Sequence, residues 1–169
     1  MDAKEAILSR RSVRKFLDKR VPRELINELL SAADAAPSAC NKRPVRFFVI
    51  ESPEVLSKLN EAGRFSGISA PLAIVVAADM KATLPRSFGE YWIQDASAAT
   101  ENILIMANAL GLGSCWCGVY LQRSVMEKVA EALGLDENII PFSLIKIGYP
   151  DETVEPHAGY EKSRVSFIK

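Results

Sequence analysis

From about Glu90 to Leu110 the chain reads as a helix that is apolar on nearly every side. Trp92, Ala96, Ala99, Ile103, Met106, Ala107 and Leu110 share one side, and Ala98, Ile105 and Ala109 make the others apolar too. Such a helix is buried, either centrally or at a subunit interface. Gly111 closes it. Before it, Leu72 to Ala78 is an unbroken apolar run, the pattern of a strand covered on both faces. A strand needing cover above and below and a helix needing cover all round point to layers, so the chain reads as a three-layer α+β sheet protein.

The rest of the chain supplies those layers. A first helix is expected from about Asp2 to Ser9 or Arg10. A second starts at Pro22, carries an apolar stripe of Leu25, Ile26, Leu29, Leu30 and Ala33, and is over by Pro37. Arg46 to Ile50 reads as a strand, and Ser52-Pro53 opens a helix that runs to about Ala62 and stops at Gly63. Ser114 to Tyr120 is another strand. Ser124 and Glu127 form a capping box for a helix that stops at Gly134. Phe142 to Tyr149 is a strand ended by Pro150, residues 151 to 163 are irregular, and Arg164 to Ile168 is a short last strand. The polar tail before that last strand cannot cover its own core, which suits a tail that reaches over a partner subunit.

Composition narrows the function. The chain of 169 residues is 49% hydrophobic and 25% charged, enough for one domain with a real core over residues 1–169. Basic and acidic side chains number 21 each, which argues against a nucleic-acid or membrane-surface protein. No apolar run approaches the roughly 18–20 residues that span a bilayer. The polar N-terminus does not resemble a signal peptide, so a cytoplasmic location is expected. Three cysteines give no disulfide framework, and the single histidine, His157, excludes a histidine-rich zinc site.

Against this neutral background, basic residues concentrate near both ends: Arg10-Arg11-Ser12-Val13-Arg14 and Lys162-Ser163-Arg164. Guanidinium, ammonium and hydroxyl groups together suit a phosphate, if folding unites them. The alternative is a helix C-terminus favouring arginines and a solvated tail. Pro37 to Pro44, containing Ser38, Cys40 and Asn41, lets backbone approach a ligand or is a plain turn. Gly111-Leu112-Gly113 is not a dinucleotide fingerprint, because Trp116 stands where the third glycine belongs and the motif follows a helix. Cys115 and Cys117 share one face of a strand, as a redox or metal pair or as small core residues. No acid, base or nucleophile set is evident, which suits an enzyme whose cofactor performs the chemistry.

Five ordered segments then resemble the FMN-dependent nitroreductase-like flavoproteins: R-R-S-V-R-K-F, P-S-A-C-N-K-R-P, the run Q-D-A-S through C-W-C-G, K-I-G-Y-P, and the late K-S-R. The resemblance implies a three-layer α/β/α fold with a mainly antiparallel sheet, completed by a C-terminal strand exchanged between subunits. It implies a homodimer with FMN at the interface. Arg10 would take the phosphate, with Arg11 and Ser12 beside it, and Arg14 would reach the ribityl chain and pyrimidine edge. Lys162 and Arg164 match late phosphate positions. Pro37 and Ser38 match a loop meeting the flavin from the other subunit, and Asn41 a residue bonding to the ring. Cys117 and Gly118 match the strand end near flavin N5. Arg43 stands where the family often has glutamine, and residues 79–89 are brief where larger members carry extra helical cover. The implied activity is ping-pong hydride transfer from NADH or NADPH to a nitroaromatic, quinone or activated alkene. A flavin-holding or redox-sensing protein, flavin-ring cleavage, reductive dehalogenation and a purely structural dimer are the alternatives.

Overall fold

The apolar run at 72–79 lies at the centre of a four-stranded sheet. A computed structural model describes residues 1–63, 65, 67–155 and 159–169, so His157 lies outside the described residues. The strands are β1 (Val45–Ile50), β2 (Leu72–Asp79), β3 (Gly113–Gly118) and β4 (Ile139–Gly148), in the order β1-β2-β4-β3. Every pairing is antiparallel. The helices are α1 (Ala3–Ser9), α2 (Arg23–Asp34), α3 (Pro53–Ala62), α4 (Tyr91–Ala109) and α5 (Arg123–Leu133).

Alternation along β2 explains the three layers. Leu72, Ile74, Val76 and Ala78 pack with α2 and α4 residues, including Ile26, Leu29, Ala96 and Ile103. Ala73 and Val75 pack with Leu56 and Leu59 of α3 and Val125 and Val129 of α5. Both faces of the strand are therefore dry, as its sequence demanded. The polar residues of α4 fasten it to its neighbours. Asn102 donates to the Ala32 carbonyl at 2.8 Å, and Asn108 donates to the Ala6 carbonyl at 2.9 Å. Thr100 and Ser143 share a buried hydrogen bond at 2.9 Å, joining α4 to β4.

Several boundaries differ from expectation for local reasons. β3 ends at Gly118, not at Tyr120, because Leu121 takes a left-handed backbone (φ 70°) and starts a turn. That turn makes Gln122 the cap of α5, so the expected Ser124–Glu127 capping box does not form. Glu127 instead pairs with Arg123 at 2.9 Å. β4 begins early, at Ile139, because a bulge accommodates Pro141: Val76 pairs with Ser143 and Ala77 with Pro141, leaving Phe142 as the extra residue. Residues 164–168 are not a strand within this chain. Lys162–Arg164 form a 3₁₀ turn, and Phe167 and Ile168 are 82% and 97% exposed. Val165 is extended (φ −120°, ψ 128°), but none of the four strands pairs with the tail. Among the described residues, no helix is long and apolar enough to cross a membrane.

Candidate functional site: a basic cradle along the sheet edge

The N-terminal basic segment leaves α1 and lies along β3. Ser12 forms a parallel bridge with Ser114, and the Val13 N–H donates to the Ser114 carbonyl at 2.9 Å. Phe16 bridges Pro150 just beyond β4. Two glycines permit this approach. A Cβ on Gly113 would stand 2.8 Å from Val13 Cγ1, and one on Gly148 would stand 3.1 Å from Phe16 Cδ1. The sequence therefore brings Arg10, Arg11, Ser12 and Arg14 beside the strand that ends in Cys117 and Gly118.

Carboxylates that sequence reasoning missed hold this segment in shape. Arg10 Nε pairs with Glu101 of α4 at 3.1 Å. Glu152 accepts from the backbone N–H groups of Arg14 at 2.5 Å and Lys15 at 3.1 Å. The Arg14 N–H, helped by the Lys15 N–H and both charges, holds the Glu152 carboxyl below its usual range against the opposing pull of desolvation. Arg11 donates through Nε to the Glu155 carbonyl at 2.9 Å and through Nη1 to the Arg10 carbonyl. Its Nη2 is buried without a partner among the described residues. The Arg14 guanidinium is exposed and makes only a long bond, 3.4 Å, to the Ser12 carbonyl.

The strand end is shaped for close approach. Cys117 is buried and Gly118 is exposed, and a Cβ added to Gly118 would meet nothing nearer than Gln122 Nε2 at 4.0 Å. A flat ligand can thus reach the Gly118 backbone.

The 37–43 loop forms a second station. Cys40, Asn41 and Arg43 all hold positive φ (50°, 53° and 48°), a left-handed stretch rare in residues with side chains. Such backbone outliers concentrate at ligand-binding segments. The loop is anchored by the buried Asp95, whose carboxylate accepts from the Ala39 N–H at 2.9 Å, and by Ser38 Oγ, which accepts from the Arg43 N–H at 2.9 Å. Asn41 Oδ1 accepts from Arg43 Nε at 3.0 Å. Pro37, Ser38, Ala39 and Cys40 wall a cavity of about 620 Å³ with Phe88 and Tyr91 opposite. Asp95, like Glu101 and Glu152, was missed in the sequence; its one signal is an acid within a largely apolar helix.

The third group stays apart. Among the described residues, the hydrogen bonds and ion pair of Lys162 and Arg164 stay within their own segment, with Arg164 Nε paired to Glu161 at 2.9 Å. The Arg10–Arg14 segment is therefore joined to the Ser114 end of the strand that also carries Cys117 and Gly118, and among the described residues no contact joins the late cations to it.

Residues 7–64 and 64–149 match the sequence profile of the Nitroreductase family. A protein of Methanothermobacter thermautotrophicus, provisionally named NADH dehydrogenase/NAD(P)H nitroreductase, is 40% identical over all of this chain and 88% of its own length. A crystal structure with the same provisional name, from Parabacteroides distasonis, superposes with a TM-score of 0.91 at 32% identity, covering 99% of this chain and 98% of its own. A provisionally named nitroreductase from Desulfovibrio desulfuricans, crystallised in complex with FMN, superposes with a TM-score of 0.84 at 27% identity, covering 100% and 97%.

Proposed function

This chain belongs to the nitroreductase family, and from that premise we propose that it is an FMN-dependent oxidoreductase drawing on NADH or NADPH. One observation carries the reading: a basic segment, with a buried Arg11 donor that has no partner among the described residues, pairs with Ser114 on the same strand that ends in open backbone at Gly118. The donor set suits a phosphate on one side, and the bare backbone suits a flat ring on the other. The FMN-bound relative supports the same choice.

Bound FMN would supply the redox chemistry, taking a hydride equivalent at N5 from the nicotinamide and passing it to a nitroaromatic, quinone or activated alkene in a ping-pong cycle. The protein's part is to hold and orient. Arg10, Arg11 and Ser12 take the phosphate, and charge-assisted bonds of this kind contribute roughly 1.5–3 kcal/mol each. Arg14, exposed and loosely held, is free to turn its guanidinium toward the ribityl chain and the pyrimidine edge, where it favours added negative charge. Cys117 and Gly118 offer backbone to the ring near N5. Pro37, Ser38 and Asn41 of a second subunit would close the other side, with the cavity beside Phe88 and Tyr91 admitting the acceptor. Lys162 and Arg164 would complete the phosphate set once the exposed 165–169 segment pairs with the partner's sheet in a homodimer.

The test is the absorbance spectrum of the purified protein, with the released flavin identified and NADH then NADPH added anaerobically. FMN bands that bleach with either nucleotide support the proposal. Absence of flavin, even after incubation with FMN, overturns it. Bound FMN without nicotinamide oxidation across several acceptors replaces it with a flavin-holding role.

A further inference from the structure

We propose that Asp95 makes the cavity beside the 37–43 loop selective for an aromatic electron acceptor that carries a positive charge. The inference rests on the oxidoreductase reading above and adds the substrate class of the same cavity. Asp95 is 7% exposed. It lines the cavity of about 620 Å³ and a smaller one of about 190 Å³, so it stands in the wall that the two share. Its Oδ1 accepts from the Ala39 N–H at 2.9 Å. Among the described residues, Oδ2 accepts no hydrogen bond, and none of the ion pairs includes Asp95. Nor is Oδ2 sealed off: the fully buried side-chain atoms without a partner are Arg11 Nη2 and Trp92 Nε1. The free oxygen therefore keeps accessible surface, and the two cavities are what it opens onto.

Anchoring the loop does not by itself require a charge. An asparagine oxygen would accept from Ala39 at a lower desolvation cost. A largely buried carboxylate calls for a counter-charge, and the chain supplies none. Helix α4 opens at Tyr91, one turn before Asp95, where the pull of the helix dipole has faded. Arg43 and Arg46 line the smaller cavity with Asp34. Arg43 turns its Nε to Asn41 Oδ1 at 3.0 Å, and Arg46 pairs with Asp79 at 3.1 Å. Among the described residues, no lysine, arginine or histidine lines the larger cavity.

The rest of the larger cavity suits a flat ring. Leu84, Phe88, Tyr91 and Ala98 give it apolar walls. Phe88 and Tyr91 are 65% and 44% exposed, so their rings leave bare surface there. Mostly apolar walls with one placed polar group are what fix a small ligand's orientation. A ligand ring lies against Phe88 and Tyr91, and a cationic arm on that ring meets Asp95 Oδ2 in a charge-assisted hydrogen bond. A neutral acceptor forgoes the second contact. An anionic one brings like charge to the carboxylate and is disfavoured. Asp95 is thus a specificity-determining residue.

The experiment compares 4-nitrobenzylamine, 4-nitrotoluene and 4-nitrobenzoate, which share a nitroaromatic ring and differ in charge. Calorimetry measures their binding to the purified protein, and nicotinamide-driven reduction gives kcat/KM beside it. The cation should bind about tenfold or more tightly than the neutral compound, and the anion more weakly than either. Bound cation should also slow alkylation of the exposed Cys40, which lines the same cavity. Asp95→Asn keeps an oxygen for the Ala39 N–H. It should remove the cation's advantage in binding and in kcat/KM, while 4-nitrotoluene binds as before. Thermal melts check that this variant is folded, and the ligand series in the unmutated protein decides without any variant. Equal binding of cation and neutral compound, Cys40 alkylation unchanged by bound cation, or equal loss of both ligands in folded Asp95→Asn would each overturn the proposal. Bleaching of the flavin by nicotinamide decides the oxidoreductase reading separately, because the binding preference is read without turnover.

Discussion

Arg14 divides its work between backbone and side chain. Its N–H is held by Glu152, while its guanidinium is left exposed. Arg14→Ala should therefore keep the fold of the segment and lose roughly 1.5–3 kcal/mol of FMN affinity, about ten- to a hundredfold. Flavin-fluorescence titration measures this, and unchanged affinity would remove Arg14 from the cradle. Glu152 acts on the same segment through protonation. Its folded-state pKa lies below 4.5, so the carboxylate's contribution is present above about pH 4.5 and is lost as the pH falls through the lower, folded value. Glu152→Gln should flatten FMN retention across that acid window, as read by filtration of released flavin. At this scale the sequence displayed its cations, because Arg10, Arg11 and Arg14 are neighbours in the chain. It hid their partners, because Glu101 and Glu152 arrive only when distant elements pack.

Two glycines at the ends of β3 look alike in sequence and differ in consequence. Gly113 has Val13 Cγ1 where its Cβ would be, at 2.8 Å, whereas Gly118 has open space to 4.0 Å. Gly113→Ala should cost about 1–3 kcal/mol, as overpacking does, lowering the melting temperature and loosening the cradle together. Gly118→Ala should leave the melting temperature nearly unchanged and still impair flavin binding, because the added methyl stands in the ligand's path. Calorimetry beside flavin titration separates the two; parallel effects would contradict the assignment of Gly118. The elements themselves were legible wherever periodicity or punctuation was strong, as at Leu72–Ala78, Ser52-Pro53 and Gly134. The α5 start was not, because the positive φ of Leu121 leaves no mark in a residue that usually avoids it.

For the whole molecule, the tail decides what one chain can do. Val165, Phe167 and Ile168 carry apolar surface into solvent, at 42%, 82% and 97% exposure. Truncation after Glu161 should leave the four-stranded core folded, while abolishing the dimer and most FMN retention. Sedimentation velocity and flavin content measure both; a truncated chain that stays dimeric and yellow would rule out the exchanged tail. The expectation of subunit exchange comes from the family resemblance alone. A single chain gives the tail an extended backbone and no strand to pair with, and no periodicity in five residues states whose sheet they join.

The ion pairs of Arg10 with Glu101 and of Arg164 with Glu161 also bear on how the cradle meets its surroundings. Arg10 and Arg164 each already have a resident anion, so a phosphate reaches these two by exchange and not by simple addition. Dissolved salt weakens the resident pair as well as the incoming one. The two losses partly cancel, so occupancy should hold nearly steady across swings in ionic strength that would empty a bare arginine cluster.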